Sequence, residues 1–316
     1  MSNDRVREYF NKVAPTYGTT HTQISLAYPL VDSRSRLAIE WLRQNEFPRD
    51  EWILDIGCGT GYFLSMLAAE GYRAQGVDIS PSMVDEARGR LAAHSIGSDR
   101  AQVETGDALG WSAHRTFRCA VALGVLEYLP GDDEFFKAAG RFLLPGGILL
   151  LECRNALFNL GSANRFTRDT LNAGGIAGLL DEYEELRKSS LLRSLSDVQG
   201  EAVDALRQIF SPKEAEESSP LPSPARDATT QGFSDLARRQ HTPVRLAEAA
   251  ERQGFRWTSL RFLHHHPFPP HHEQEAPLFF RRLGLALDTV GQTAAAALSS
   301  SCFLAGFQKN IDSEIG

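Results

Sequence analysis

The stretch Trp52-Ile53-Leu54-Asp55-Ile56-Gly57-Cys58-Gly59-Thr60-Gly61-Tyr62-Phe63 constrains the fold more than any other, because an apolar run ends there in a glycine-rich turn and resumes with helical spacing. It reads as strand, tight loop, helix. Glycine at 57, 59 and 61 lets the backbone take positive φ and approach a ligand closely, while the N–H groups opening the helix at Tyr62 face the space above the strand. Spacing then separates two ligand classes. A dinucleotide fingerprint, G-x-G-x-x-G, would need glycine at position 62, where the chain has Tyr62. The pattern here is Asp-x-Gly-x-Gly-x-Gly, and a carboxylate at the strand's end repels a pyrophosphate but suits a cationic amine.

At these residues the chain resembles the Rossmann-like, class I S-adenosylmethionine-dependent methyltransferases of the small-molecule type. The resemblance implies S-adenosyl-L-methionine as cofactor, and it places Asp55, Gly57, Cys58, Gly59, Gly61, Tyr62 and Phe63 around it. Asp78 closes the next apolar run, Arg73–Asp78, 21 residues beyond Gly57. An acid near this offset can accept both hydroxyls of a ribose, although Asp78 could also merely cap the helix that starts at Ser80-Pro81. Ile79 and Met83 follow on the cofactor side. A third strand, Ala101–Thr105, leads to Asp107 and Ala108; the resemblance gives Asp107 the adenine amino group, with simple turn formation as the alternative.

The run Phe117–Leu123 is continuously apolar enough to be a central parallel strand buried on both faces. By resemblance, Leu123 and Gly124 line the cofactor, while Glu127 and Tyr128 face either the acceptor or a helix. Leu143-Leu144-Pro145-Gly146-Gly147 feeds a fifth strand ending at Arg154. Five strands alternating with helices imply a doubly wound α/β sheet with ligands beyond its carboxyl ends. Gly254–Leu263 and Cys302–Gln308 complete seven strands, the last antiparallel between the fifth and sixth in the family. Ahead of this core, Val6, Tyr9, Phe10 and Val13 share one face of a helix that Pro15 is expected to stop, and Tyr17 follows it. That segment resembles one whose aromatic residues close over the cofactor, with a helix that only packs on the sheet as the alternative.

Three regions emerge: 1–155 with the first helices and five strands, 156–235 as an insert, and 236–316 completing the core. The insert carries helical stretches at Ile176–Arg193 and Asp197–Phe210, then a polar, proline-rich run, Ser211–Thr230, that cannot bury enough apolar surface to order itself. Leaving the fifth strand at its carboxyl end, it is placed to form an acceptor lid, with dimerisation as the rival. Five of the nine histidines lie between His264 and His272. Metal binding is one reading of that cluster. The position of His264 and His266 at the catalytic edge favours acceptor contact or proton transfer, since imidazole ordinarily titrates near neutrality, and no metal is expected.

A formal charge of −7 and a pI near 5.8 disfavour a general nucleic-acid surface. No apolar run approaches ~18 residues, so no membrane span is expected. The four cysteines are dispersed in apolar runs, as in a cytoplasmic protein with reduced core thiols. The expected activity is methyl transfer to an oxygen or nitrogen of a small-molecule acceptor. The alternatives are C-methylation and a non-catalytic cofactor-binding or assembly protein on the same fold.

Overall fold

The structure is a computed structural model describing residues 3–22, 29–209, 236 and 238–311. The apolar runs become β1 (Trp52–Ile56), β2 (Arg73–Asp78), β3 (Ala101–Thr105), β4 (Phe117–Leu123), β5 (Leu143–Arg154), β6 (Phe255–His265) and β7 (Ser300–Lys309). They form one seven-stranded sheet in the order β3-β2-β1-β4-β5-β7-β6. β1 to β5 are parallel, and β7 runs antiparallel to both β5 and β6. This is the doubly wound α/β sheet with an antiparallel last strand that the resemblance implied.

Helices cover both faces, so the central strands are apolar throughout. Period-two alternation sorts their side chains into two cores. Ile53, Cys119, Val121, Leu123 and Leu150 pack with α2 (Leu30–Gln44) and α3 (Tyr62–Ala69) through Ala38, Leu42, Leu64 and Leu67. Leu54, Ile56, Ala120, Ala122, Leu149 and Leu151 pack on the other side against Phe135, Phe136 and Phe142 of α5 (Asp132–Phe142). Each of those phenylalanines contributes roughly 1.5–3 kcal/mol by burial. Asp55 falls two residues after Ile53 and therefore on the α2 side of the sheet.

Local signals set several helix starts. α4 (Pro81–Ala93) begins with proline at its first position, and the Ser80 hydroxyl accepts from the Met83 N–H at 3.1 Å. Thr242 and Pro243 start α9 (Pro243–Arg252) in the same way. At the N-terminus the structure corrects the expected stop: α1 (Asn3–Thr22) continues through Pro15. The Phe10 ring meets Tyr17 across that proline, edge to face with centroids 6.1 Å apart, so aromatic packing holds the helix where local propensity would end it.

The insert leaves and rejoins the core at one point. Asn155 bridges to His241, the Ala156 N–H donates to the His241 carbonyl at 2.8 Å, and the His241 N–H donates to Arg154 at 2.9 Å. Between them lie α6 (Arg165–Asn172), α7 (Ile176–Leu186) and α8 (Leu195–Ile209). α7 stops short of Arg193 and packs against α9, where Glu182 pairs with Arg245 at 2.6 Å. α8 packs against α10 (Pro277–Leu287). The Ser211–Thr230 run lies outside the described residues. All four cysteines are free and buried, and among the described residues no helix is long and apolar enough to cross a membrane.

Candidate active site

A cavity opens at the carboxyl edge of β1, β2 and β4, beneath α1. The glycine loop forms its floor. Gly57 and Gly61 both have φ of 72°, and a Cβ at Gly57 would run into Val125, so glycine is needed for conformation and for space. Gly57 and Cys58 both donate their N–H groups to the Val77 carbonyl, which ties the loop to β2. Asp78 is then fixed from two sides. Its Oδ2 accepts the Gly59 N–H and its Oδ1 accepts the Ser80 N–H, each at 2.9 Å. Each oxygen keeps a lone pair for a further donor, so helix support and ligand binding, posed as alternatives from sequence, are compatible. Burial raises the Asp78 carboxyl above its ordinary range, against those two hydrogen bonds.

Asp55 is the unusual group. It is 2% exposed, lines the cavity, and its Oδ2 has no hydrogen-bond partner. Burial, and then the nearby Asp78 charge, push its carboxyl up to about 7, while Arg34 opposes them. A buried carboxylate oxygen facing a cavity without a donor is completed by a cationic ligand group. Arg34 reaches the cavity from α2, its Nη1 donating to Glu152 Oε2 at 2.8 Å. Gly124 leaves room for this guanidinium, which a Cβ there would strike. Sequence reasoning did not select Arg34. The available signal was a charge on the same helical face as Leu30, Leu37, Ala38 and Trp41, where only apolar groups are expected.

α1 forms the roof. Val6, Phe10 and Tyr17 line the cavity, and Phe10 meets Tyr128 edge to face at 5.2 Å. Asn3 Nδ2 donates to Asp107 Oδ2, whose other oxygen accepts the Leu109 N–H at 2.9 Å. Asn11 Oδ1 accepts the Ser80 hydroxyl at 2.7 Å, fastening the roof to the start of α4.

Of the residues named from sequence for the cofactor, all but Gly61 line this cavity. Gly61 lies beneath it, against Ala87. The proposed catalytic residues divide. Tyr128 forms part of the wall, and burial followed by the Glu127 charge raises its phenol well above the ordinary value. Glu127 sits behind it, buried, with Oε2 3.0 Å from Arg154 Nε. His264 and His266 do share one face, with ring centroids 4.4 Å apart. His264 adopts φ of 59°, left-handed for a non-glycine residue, and its Nδ1 lies 2.7 Å from the Ser301 hydroxyl. His266 packs on Phe158 and Phe280, and neither of its ring nitrogens has a hydrogen-bond partner. Neither ring lines the cavity.

The expectation that these imidazoles titrate near neutrality is corrected. Burial lowers His266 to about 4. His264 falls well below its ordinary value through burial, then through the His266 and Arg154 charges. Both are therefore neutral at physiological pH. His265 is held apart by the Ser299 and Ser300 hydroxyls at 3.1 and 2.9 Å. Among the described residues, no three His, Cys, Asp or Glu side chains converge as a metal set.

The sheet order is that of the Rossmann-like fold found in solved methyltransferase structures. More specifically, residues 53–147 match the model of a methyltransferase domain. Among curated relatives, trans-aconitate 2-methyltransferase of Escherichia coli O1:K1 / APEC is 32% identical over 130 residues, covering 40% of this chain and 49% of that one. The ubiquinone biosynthesis O-methyltransferase of Stutzerimonas stutzeri (strain A1501) is 26% identical over 111 residues, 35% of this chain and 47% of that one. The chain thus spans about half the length of these relatives. Among solved structures, magnesium protoporphyrin IX methyltransferase from Synechocystis PCC 6803 with bound SAH aligns over 98% of this chain and 100% of that one, with a TM-score of 0.55 at 13% identity.

Proposed function

We propose that the protein transfers the methyl group of S-adenosyl-L-methionine to an oxygen or nitrogen of a small-molecule acceptor. The observation that carries this reading is the orphaned Asp55 carboxylate in the glycine-loop cavity: a dinucleotide phosphate would be repelled there, and an amino acid ammonium is attracted. The other residues fit the same ligand. Asp78 would take the ribose hydroxyls, Asp107 the adenine amino group, and Arg34 the amino acid carboxylate. When bound, the cofactor supplies an electrophilic methyl carbon on sulfur. The chain's own work is then to position the acceptor and keep water out, with α1 and the Phe10, Tyr17 and Tyr128 rings closing the cavity.

Oxygen or nitrogen is preferred over carbon because the curated relatives include a named O-methyltransferase, and a small acceptor suits an enclosed cavity. The insert is read as the acceptor-side cover. Its described helices do not line the cavity, but the chain that follows it does approach it. Leu236 packs with Val6 and Tyr128, and the Arg239 N–H donates to the Glu127 carbonyl at 2.9 Å. The test is twofold: calorimetry of S-adenosylhomocysteine binding, then cofactor turnover with a panel of oxygen and nitrogen acceptors. Absence of binding would refute the reading. Binding without turnover on any acceptor would leave the non-catalytic alternative.

A further inference from the structure

The turn that follows β4 carries part of the cavity wall on a backbone that does not complete its own hydrogen bonds. Val125, Tyr128 and Leu129 line the cavity, and a Cβ at Gly57 would run into Val125, so this turn rests directly on the glycine loop. Within it the Tyr128 N–H donates to the Val125 carbonyl at 3.0 Å and the Leu129 N–H to the Leu126 carbonyl at 3.1 Å. Those bonds close a tight 3₁₀ turn and make Val125–Leu129 move as one piece. The Glu127 and Leu129 carbonyls are left without a partner inside the turn. In residues this buried, a carbonyl left alone is costly.

One residue takes both. Arg239, on the chain that follows the insert, donates its backbone N–H to the Glu127 carbonyl at 2.9 Å and its Nη1 to the Leu129 carbonyl at 3.2 Å. Its Nη2 donates to Asp132 Oδ1 at 2.7 Å, in the first turn of α5, and His241 Nε2 lies 3.1 Å from the same oxygen. Burial would raise the Asp132 carboxyl, yet His241 and Arg239 hold it below its ordinary range, so this anchor is ionised at neutral pH. The task suits arginine. Its planar fork presents amino groups in fixed directions and reaches a carbonyl and a carboxylate together, whereas an ammonium is a point donor. Other supports of the wall leave those carbonyls alone: Phe10 and Leu236 pack on Tyr128, and Arg154 takes the Glu127 side chain.

We propose that Arg239 is a positioning residue, which holds the Val125–Leu129 turn against the glycine loop and so keeps Tyr128 and Leu129 in place in the cavity wall. Arg239 does not line the cavity and acts only through the turn. The cofactor cavity thereby depends on how the chain re-enters the core after the insert. This rests on the reading of that cavity as the S-adenosyl-L-methionine site.

The experiment titrates the full chain with S-adenosylhomocysteine by calorimetry, beside thermal melts. Arg239→Gln keeps the backbone N–H and loses the fork, and it should weaken binding about 3- to 10-fold, as expected when a hydrogen bond is lost and a carbonyl is left unpaired. Arg239→Lys should fall between that variant and wild type. Two controls separate positioning from general stability. In a Tyr128→Ala background the loss caused by Arg239→Gln should shrink below about twofold, because residues that act through one another are not additive. Arg252→Gln removes a different pair on the same first turn of α5, Arg252 with Asp133 at 3.0 Å, and should leave affinity unchanged. Unchanged affinity in Arg239→Gln, the same loss with and without the Tyr128 ring, or an equal loss in Arg252→Gln would overturn the proposal while sparing the cofactor reading. If the melt shows Arg239→Gln unfolded, Arg239→Lys carries the test, and wild-type affinity in it is the refuting result. Failure of S-adenosylhomocysteine to bind the wild-type chain would overturn both.

Discussion

Protonating Asp55 should weaken cofactor binding within the physiological pH range. Its carboxyl is held near 7 in the free protein, so it is about nine-tenths ionised at pH 8 and one-tenth at pH 6. If the ionised form is what an ammonium binds, affinity for S-adenosylhomocysteine should fall about tenfold between those values, or roughly 1.4 kcal/mol. Asp55→Asn keeps the shape and removes the charge. Its affinity should be pH-independent and about 10- to 100-fold weaker than wild type at pH 8, the cost of losing a charge-assisted contact. Stability should move the other way. A carboxyl raised from an ordinary value near 4 contributes stability that is full below that value and lost as pH climbs through about 7, on the order of 4 kcal/mol across the interval. The free Asn variant should therefore melt higher than wild type at pH 8 and gain less from added ligand. Calorimetry and thermal melts at pH 6, 7 and 8 measure both effects. A wild-type affinity flat across that range, or an Asn variant that binds as tightly as wild type, would refute the role assigned to Asp55.

Asp78→Ala should also weaken S-adenosylhomocysteine, by removing ribose acceptors and the Gly59 anchor; unchanged calorimetric affinity would remove Asp78 from the site. Alanine at His264 or His266 should lower turnover by about 10²–10⁴ if that ring contacts the acceptor or its proton, with cofactor affinity preserved. Because burial keeps both rings neutral, the wild-type rate profile should show no histidine inflection near 6.5, and one that vanished in an alanine variant would contradict the burial argument. Deleting 212–230 should change acceptor KM or kcat and spare S-adenosylhomocysteine binding. Intact turnover with a collapsed oligomeric state, measured by light scattering, would favour a dimerisation element instead.

How much could be read from sequence depended on whether a residue's role is local. The glycine loop, Asp55 and Asp78 were legible because positive φ, period-two burial and strand ends leave signatures within a few residues. Arg34 and Arg154 were not, because each acquires meaning from a partner on another element: Glu152, 118 residues from Arg34, and Glu127, across the β4–β5 crossover. Pro15 misled because aromatic packing across the helix outweighed its local preference. The histidines were placed on one face by alternation, but their protonation depends on how deeply α10 and the Phe158 turn bury them, which no local pattern encodes.

The position of β7 has a consequence for how the chain is made. Ser300–Lys309 leaves the ribosome after every other strand, yet it sits between β5 and β6 and supplies all of their mutual pairing. Until it arrives, β6 has no partner in the sheet, and β5 presents an open edge beside Leu149 and Leu151. Vectorial synthesis can thus assemble β1 to β5 early, while Phe255, Leu260 and Phe262 wait for residues far downstream. A nascent chain stalled before Ser300 would expose two unpaired strand edges at once, a state suited to chaperone capture or to pairing with a second stalled chain.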